Sequence, residues 1–270
     1  MAVKSRKKSK QKNTKKTELK PGILIGAIAA VLVIAVIVSS VVITKTYKRT
    51  PQTVYDFGKE IAQGIDVSEH NGDIDWNSVA DEFDFAFIRV GYRGYGNGTV
   101  YEDKTAKKNM KAAQKAGIPF GVYFYTQAVN EDEAEEEADF VMNIIKHYDL
   151  SLPVIIDFEY PADDNGYHTG RLADSNLSAE ENTAVVNAFC DRVRKKGYIA
   201  GIYASSSVFY YNFNAKNIDR DTVLWAADYN DNVTFEIDYD IWQYSRTGQA
   251  DSVSSKYVDL NYWYSEQQKG

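Results

Sequence analysis

The strongest constraint on the fold is an alternation that begins after Gly64. Short apolar runs, rich in β-branched and aromatic residues, alternate there with longer amphipathic stretches. This pattern is typical of the strands and helices of a parallel α/β fold. The runs that we interpret as strands cover residues 65–68, 85–92, 120–125, 154–159, 199–205, 223–229, 240–244 and 257–263. Eight strands with about five helices predict an irregular, shortened (β/α) barrel, similar to a TIM barrel.

Helices are predicted between the earlier strands, and three of them have explicit boundary signals. The signals are Asp103 before a helix that Gly117 and Pro119 close, Asn130 before the acidic turn EDEAEEE, and a Ser178–Glu181 capping box before a helix that Gly197 closes. Little room for helices remains between the last three strands. The second half of the barrel is therefore expected to be irregular.

Four acidic residues fall at strand ends where they are expected to converge. The run PVIIDFEY places Asp157 and Glu159 two residues apart, so both side chains leave the same face of one strand, about 6 to 7 Å apart along the backbone. Asp66 ends the first strand and Asp259 lies on the last strand. Because the first and last strands of a closed barrel are neighbours, we expect one pocket at the C-terminal end to hold all four acids.

Such a cluster of carboxylates serves either a metal ion or acid/base chemistry. The sequence has no D-x-D-x-D-G calcium loop, no P-loop or Rossmann fingerprint, and no zinc-like spacing of its three His residues. We therefore predict neither a metal nor a cofactor. Glycoside hydrolysis, in contrast, needs crowded acids, since one carboxyl must stay protonated while others stabilise a cationic transition state.

Aromatic residues accompany the predicted strand ends, where their rings are placed either to stack on sugars or to pack in the core. The candidates for substrate binding are Tyr92, Tyr123, Tyr125, Tyr203, Trp225, Tyr229 and Trp242, with Gln243 beside the last of them. The only cysteine, Cys190, excludes an internal disulfide and is expected to be buried packing.

The first part of the chain differs sharply from the rest. Residues 22–44 carry no charge, and 23 residues of helix measure about 34 Å, enough to cross a membrane. The basic tail over residues 1–21 predicts a cytoplasmic N-terminus, which places everything after a linker over residues 45–63 outside the cell. A cleaved signal peptide is the alternative, although its apolar region is usually shorter and ends in a small-residue cleavage site.

Charge separates the same two parts. Residues 1–50 hold twelve Lys or Arg and one acid, whereas residues 51–270 hold 19 Lys or Arg and 37 Asp or Glu, a net charge of −18. The acidic part is therefore a poor partner for nucleic acid. The basic tail is better explained by contact with anionic headgroups than by nucleic acid, because it adjoins the predicted span.

The ordered motifs of the second part resemble those of the glycoside hydrolase family 25 muramidases. These motifs are GIDVSEHNGDIDW, FAFIRVGY, PFGVYFY, the DFE of PVIIDFEY, WAADY, IWQYS and VDLNYW, in that order. The resemblance covers about residues 64–264 and implies a catalytic domain over residues 64–265. Asn71-Gly72 stands where many relatives have Gln-Gly, a departure that leaves the acids in place.

The resemblance implies hydrolysis of the β-1,4 bond between N-acetylmuramic acid and N-acetylglucosamine in peptidoglycan. It also implies roles: Glu159 as general acid, Asp157 as the group that orients the acetamido substituent or stabilises the cation, and Asp66 and Asp259 as supporting carboxylates. Retaining, inverting and substrate-assisted mechanisms remain open. Two alternative functions also remain, a wall-binding protein with little or no turnover and a hydrolase of another N-acetylated polysaccharide.

Overall fold

The computed structural model describes residues 55–270. The predicted tail (1–21) and transmembrane helix (22–44) lie outside the described residues, as does most of the predicted linker. Within residues 55–270, none of the helices combines the length and the apolar character that crossing a membrane requires. The first strand begins at Ile61, so residues 61–63, which we predicted as the end of the linker, belong to the sheet.

All eight predicted strands are confirmed, and they form one closed barrel. The strands are β1 (Ile61–Val67), β2 (Phe85–Arg93), β3 (Val100–Glu102), β4 (Phe120–Thr126), β5 (Val154–Phe158), β6 (Ala200–Ser205), β7 (Val223–Ala227), β8 (Asp238–Gly248) and β9 (Val258–Lys269). The order around the barrel is β1-β9-β8-β7-β6-β5-β4-β2, and pairing of β1 with β2 closes it. The short β3, which the sequence did not predict, extends the sheet beyond β2.

One strand departs from the parallel arrangement that the sequence predicted. Strand β9 pairs antiparallel with both β8 and β1, whereas the other barrel pairs are parallel. The expectation of a parallel sheet is therefore wrong at this place. The reason is the connection between β8 and β9, since residues 249–257 are too few for the crossover that a parallel pair needs.

Six α-helices are described, and three of them are those for which the sequence has boundary signals. They are α1 (Trp76–Glu82), α2 (Ala106–Ala116), α3 (Glu131–Ile145), α4 (Arg171–Asp174), α5 (Ala179–Lys195) and α6 (Ser206–Tyr211). Asn130 caps α3 by accepting a hydrogen bond from the Glu133 amide, and Ser178 and Glu181 form the predicted capping box of α5. The helix expected after Asp103 begins at Ala106 instead, because Asp103 folds the preceding turn by accepting from the Thr105 amide.

Large side chains fill the inside of the barrel below the strand ends. The Phe87 ring lies 4.6 Å from Trp225 and 6.0 Å from Trp263, measured between centroids. Glycines make room for these rings, since a Cβ at Gly64 would lie 2.4 Å from the Phe85 ring. Because the interior is packed, the barrel has no through-channel, and a ligand is restricted to the open end. Cys190 is buried outside this core, with Sγ 3.7 Å from the Gly201 carbonyl oxygen.

Candidate active site

A cavity of about 290 Å³ opens at the C-terminal ends of the parallel strands. Its lining residues are Asp66, Ser68, His70, Asn71, Arg89, Tyr123, Tyr125, Asp157, Glu159, Tyr203, Trp225, Gln243 and Asp259. The structure thus brings together the four acids that the sequence singled out. It adds Arg89 and residues of the loop after β1 to them.

Asp66 and Asp259 face each other directly across the antiparallel β1–β9 pair. Burial raises the pKa of Asp66 to about 6, although hydrogen bonds from Asn261 and Gln243 oppose this rise. Burial and the neighbouring Asp66 and Glu159 carboxylates raise the pKa of Asp259 to about 8. A proton on Asp259 is therefore retained near neutral pH and is donated to Asp66, so this pair carries about one negative charge.

Asp157 lies on β5, between Tyr125 of β4 and Tyr203 of β6 in the strand register. Its Oδ1 atom is buried and has no hydrogen-bond partner among the described residues. Burial, followed by the Glu159 and Asp66 carboxylates, raises the pKa of Asp157 well above its ordinary value, while Arg89 opposes the rise. An oxygen without a partner in such a place is free to contact a ligand.

Glu159 follows directly after β5 and lines both the cavity and a larger groove beside it. Burial raises the pKa of Glu159, and the neighbouring Tyr203 hydroxyl opposes this rise. The Gln127 side chain donates a hydrogen bond of 3.0 Å to the Glu159 carbonyl oxygen, which fixes the backbone at the end of the strand. A carboxyl group that has a raised pKa and reaches open space suits proton donation.

Two amide side chains hold Asp66 in place. Asp66 Oδ2 accepts hydrogen bonds from Gln243 Nε2 at 2.9 Å and from Asn261 Nδ2 at 2.8 Å. The oxygen of each amide accepts from an aromatic side chain in turn. Gln243 Oε1 accepts from the Tyr203 and Tyr229 hydroxyls at 2.8 and 2.6 Å, and Asn261 Oδ1 accepts from Trp225 Nε1 at 2.9 Å. Each amide orientation is therefore determined by its donors and acceptors.

Arg89 is a site residue that the sequence reasoning missed. Its Nε atom donates to the fully buried Asp103 at 2.8 Å, and its Nη2 atom lies 3.6 Å from Glu69. Nη2 is buried without a hydrogen-bond partner among residues 55–270. The signal was present in FAFIRVGY, where a charged residue interrupts an apolar strand, a position that requires a partner or a function.

The groove next to the cavity has a volume of about 730 Å³. It runs between the segment that follows β5 and helix α6, and its lining includes Glu159, Tyr160, His168, Tyr203, Tyr211, Tyr229 and Arg246. Glu159 and Tyr203 belong to both spaces, so the cavity and the groove are continuous. An extended ligand in the groove would pass directly over Glu159.

Six of the eight predicted substrate-binding residues line these spaces, and Tyr92 and Trp242 do not. Tyr92 stacks on Tyr101 at 5.3 Å between centroids, with the Arg89 guanidinium 5.3 Å from its ring. Trp242 precedes Gln243 on β8, so the two side chains leave opposite faces of the strand. Gln243 faces the cavity, whereas Trp242 Nε1 donates to the Asp228 carbonyl oxygen at 2.7 Å outside it.

Asn71 stabilises the loop that carries Ser68 and His70 into the cavity. Its Oδ1 atom accepts from the Ser68 amide at 2.8 Å, which completes a capping box around the 3-10 helix Glu69–Asn71. Gly72 follows with a φ of +70°, a conformation that favours glycine. Asn71 therefore stabilises the conformation of the loop after β1.

Comparisons with known proteins point to one family. The model of glycosyl hydrolases family 25 matches residues 65–253. Lysozyme M1 of Streptomyces globisporus is 26% identical over 209 residues, which are 74% of this chain and 66% of that protein. The chain thus spans about two thirds of the length of this relative.

Solved structures agree with this assignment. The modular autolysin LytC from Streptococcus pneumoniae is 29% identical with a TM-score of 0.63, over 76% of this chain and 47% of that one. The same autolysin has also been solved with a synthetic peptidoglycan ligand, at 28% identity, a TM-score of 0.62 and the same coverage. The bacterial lysozyme from Streptomyces coelicolor is 25% identical with a TM-score of 0.60, over 75% of this chain and 91% of that one.

Proposed function

This chain belongs to the glycosyl hydrolases of family 25, and from that premise we propose that it is a peptidoglycan muramidase. Its substrate is the β-1,4 bond between N-acetylmuramic acid and N-acetylglucosamine. One observation carries the proposal: four carboxyl groups from the ends of β1, β5 and β9 converge in one cavity that is continuous with a larger groove. The lysozymes and the autolysin among the similar proteins support the same substrate.

Glu159 is the proposed general acid. Burial raises its pKa, which favours the protonated form that a general acid needs, and it lies where the groove meets the cavity. From there its proton can be transferred to the glycosidic oxygen as the bond to the leaving sugar breaks.

Asp157 is the proposed partner of the substrate's acetamido group. Its free Oδ1 is an acceptor for the acetamido N–H, and its carboxylate is placed to stabilise positive charge at the sugar. The Asp66–Asp259 pair keeps the surrounding field negative without carrying two full charges. Analysis of the anomer that forms first, by NMR, distinguishes retention from inversion.

The test is the release of reducing N-acetylmuramic acid ends from purified peptidoglycan by the full-length chain. We expect Glu159→Gln to lower this release by about 10³-fold, since general acid catalysis is typically worth 10²–10⁴. A thermal unfolding curve for each protein confirms that the variant is folded. If wild type binds wall and releases no ends, the function is wall binding; if it releases ends from chitin alone, the substrate is wrong.

We also propose that the chain is anchored in the cell membrane, with its N-terminus in the cytoplasm and the barrel outside. The uncharged residues 22–44 and the basic residues before them support this. Cell fractionation followed by protease treatment of intact cells tests it. A barrel that is found free in the medium would contradict the anchor. A barrel that resists protease until cells are lysed would contradict the orientation.

A further inference from the structure

Arg246 is an exposed cation in the lining of the groove, and it forms no ion pair with a carboxylate among the described residues. Its guanidinium lies 5.1 Å from the centroid of the Tyr229 ring. Among residues 55–270 no carboxylate lies within ion-pair distance of it. The same part of the chain has 37 acids for 19 Lys or Arg, so an arginine that served only stability would readily find a partner.

Tyr229 holds this cation in a fixed place. The Tyr229 hydroxyl donates to Gln243 Oε1 at 2.6 Å, so the ring is tied to the amide that also holds Asp66. Attraction between the guanidinium and the ring face keeps the charge at the groove without cancelling it. The groove thus has Glu159 at its inner end and a positive charge in its wall.

We propose that Arg246 binds a carboxylate of the lactyl-peptide substituent of N-acetylmuramic acid, and so makes the groove prefer anionic glycan strands to neutral N-acetylated ones. This inference rests on the proposed function and specifies its substrate. A guanidinium pairs with a carboxylate through two parallel N–H donors, a geometry that a neutral sugar hydroxyl does not offer. Arg246 is therefore a specificity-determining residue.

Arg246 has a second physical effect that the test must separate. Its charge lowers the pKa of Asp259, against the larger effects of burial and of the neighbouring acids. Loss of this effect would change the protonation of Asp259, and so the affinity for every ligand, charged or neutral. Loss of carboxylate binding would change affinity for anionic ligands alone.

The experiment measures binding by calorimetry to the full-length Glu159→Gln protein, which prevents turnover. The two probes are a tetrasaccharide of alternating N-acetylglucosamine and N-acetylmuramic acid whose lactyl groups carry stem peptides with free carboxylates, and neutral chitotetraose. We expect Arg246→Gln to weaken binding of the anionic probe by about 5-fold, the size of a partly screened charge pair, and to leave chitotetraose unchanged. Arg246→Lys keeps the charge but loses the paired donors and should retain only part of the affinity, and added salt should reduce the preference.

Lys256→Gln is the matched control. Lys256 is another exposed cation over a tyrosine, 4.7 Å from the Tyr257 ring centroid, but it does not line the groove. It should leave both affinities unchanged. Equal weakening of both probes by Arg246→Gln, or no change in either, overturns the proposal. Failure of the proposed function is seen separately, as wild type that releases no muramic acid ends from peptidoglycan while the anionic probe is still preferred.

Discussion

Helix α3 and the cavity both bury carboxyl groups, but they differ in whether the carboxyl oxygens have hydrogen-bond partners. Glu137 on α3 is fully buried, and each of its oxygens has a partner: Arg93 Nε donates to Oε1 at 2.6 Å and Thr126 Oγ1 donates to Oε2 at 2.6 Å. Burial still raises the pKa of Glu137 to about 7. Arg93 also donates to the carbonyl oxygens of Gly98 and Glu133, so this pair joins β2, the loop after it and α3.

In the cavity, by contrast, the hydrogen bonding of a buried carboxyl group is incomplete. Asp157 is also buried, but its Oδ1 has no partner among the described residues, and its neighbours include three more acids. Since a buried polar atom without a partner costs roughly 1–3 kcal/mol, such an atom is retained where a ligand completes it. A buried acid whose oxygens all have hydrogen-bond partners thus indicates a structural role. A buried acid that lacks a partner and lies among other acids indicates a role in binding or catalysis.

The largest effect expected from this difference is at Asp157. Asp157→Asn should lower kcat on peptidoglycan by at least about 100-fold, because an amide cannot become the carboxylate that stabilises positive charge developing at the sugar in the transition state. The same substitution should raise the free energy of unfolding, because it removes the cost of burying a carboxylate and its repulsion with Glu159 and Asp66. Turnover and urea unfolding of the same preparation measure both. Loss of activity together with loss of stability would mean that Asp157 belongs with Glu137 as scaffold.

The converse substitution is at Arg93. Arg93→Leu leaves Glu137 buried without its cation and should lower the free energy of unfolding at neutral pH by about 3 kcal/mol. The activity of the molecules that remain folded should change little, since Arg93 does not line the cavity. Urea unfolding and active-site titration separate the two quantities. A large fall in kcat with unchanged stability would remove the distinction between the two regions.

A smaller effect concerns pH. The pKa values of Asp66 and Asp259 rise from 3.8 to about 6 and about 8, so the folded state binds more protons than the unfolded state between those values. Their contribution to stability is therefore present below about pH 4 and is lost as pH rises through 6 and 8. Asp259→Asn should flatten the fall in unfolding free energy between about pH 5 and pH 8.5. An unchanged slope would show that Asp259 is ordinarily ionised.

The smallest predicted effect is at Tyr229. Tyr229→Phe removes one of the two hydroxyls that Gln243 Oε1 accepts, and should cost about 1 kcal/mol of stability with a few-fold loss of activity. Tyr211→Phe, at a tyrosine of the same groove that is 67% exposed, is a suitable comparison and should have almost no effect on stability. Equal effects of the two substitutions would show that the hydrogen bond to Gln243 is unimportant.

Much of the barrel and the acids of the cavity could be predicted, because both follow from local patterns. The two-residue spacing of Asp157 and Glu159 fixes their shared face, and strand order alone makes β1 and β9 neighbours. The same rule of alternation could have excluded Trp242, because Gln243 beside it faces the cavity. Trp242 was included because each aromatic residue was considered separately.

The remaining features depend on register between distant strands. Asn261 meets Asp66 across 195 positions of sequence, and Gln243 meets it across 177. No local pattern encodes which amide faces which acid. The direction of β9 likewise depends on a short connection, and the role of Arg89 depends on where Asp103 and Glu69 lie in three dimensions.

The placement of β9 between β1 and β8 also determines at which step of folding the cavity is completed. This strand supplies Asp259 and Asn261, and it is the last element of the described chain to be synthesised. Until it inserts, β1 and β8 are open edges and Asp66 lacks both its opposing acid and one of its amide donors. Because β1 and β9 lie far apart in sequence and must pair, closure of the barrel is among the most non-local steps of folding. Insertion of β9 therefore completes the cavity, and a chain without β9 would lack both Asp259 and Asn261.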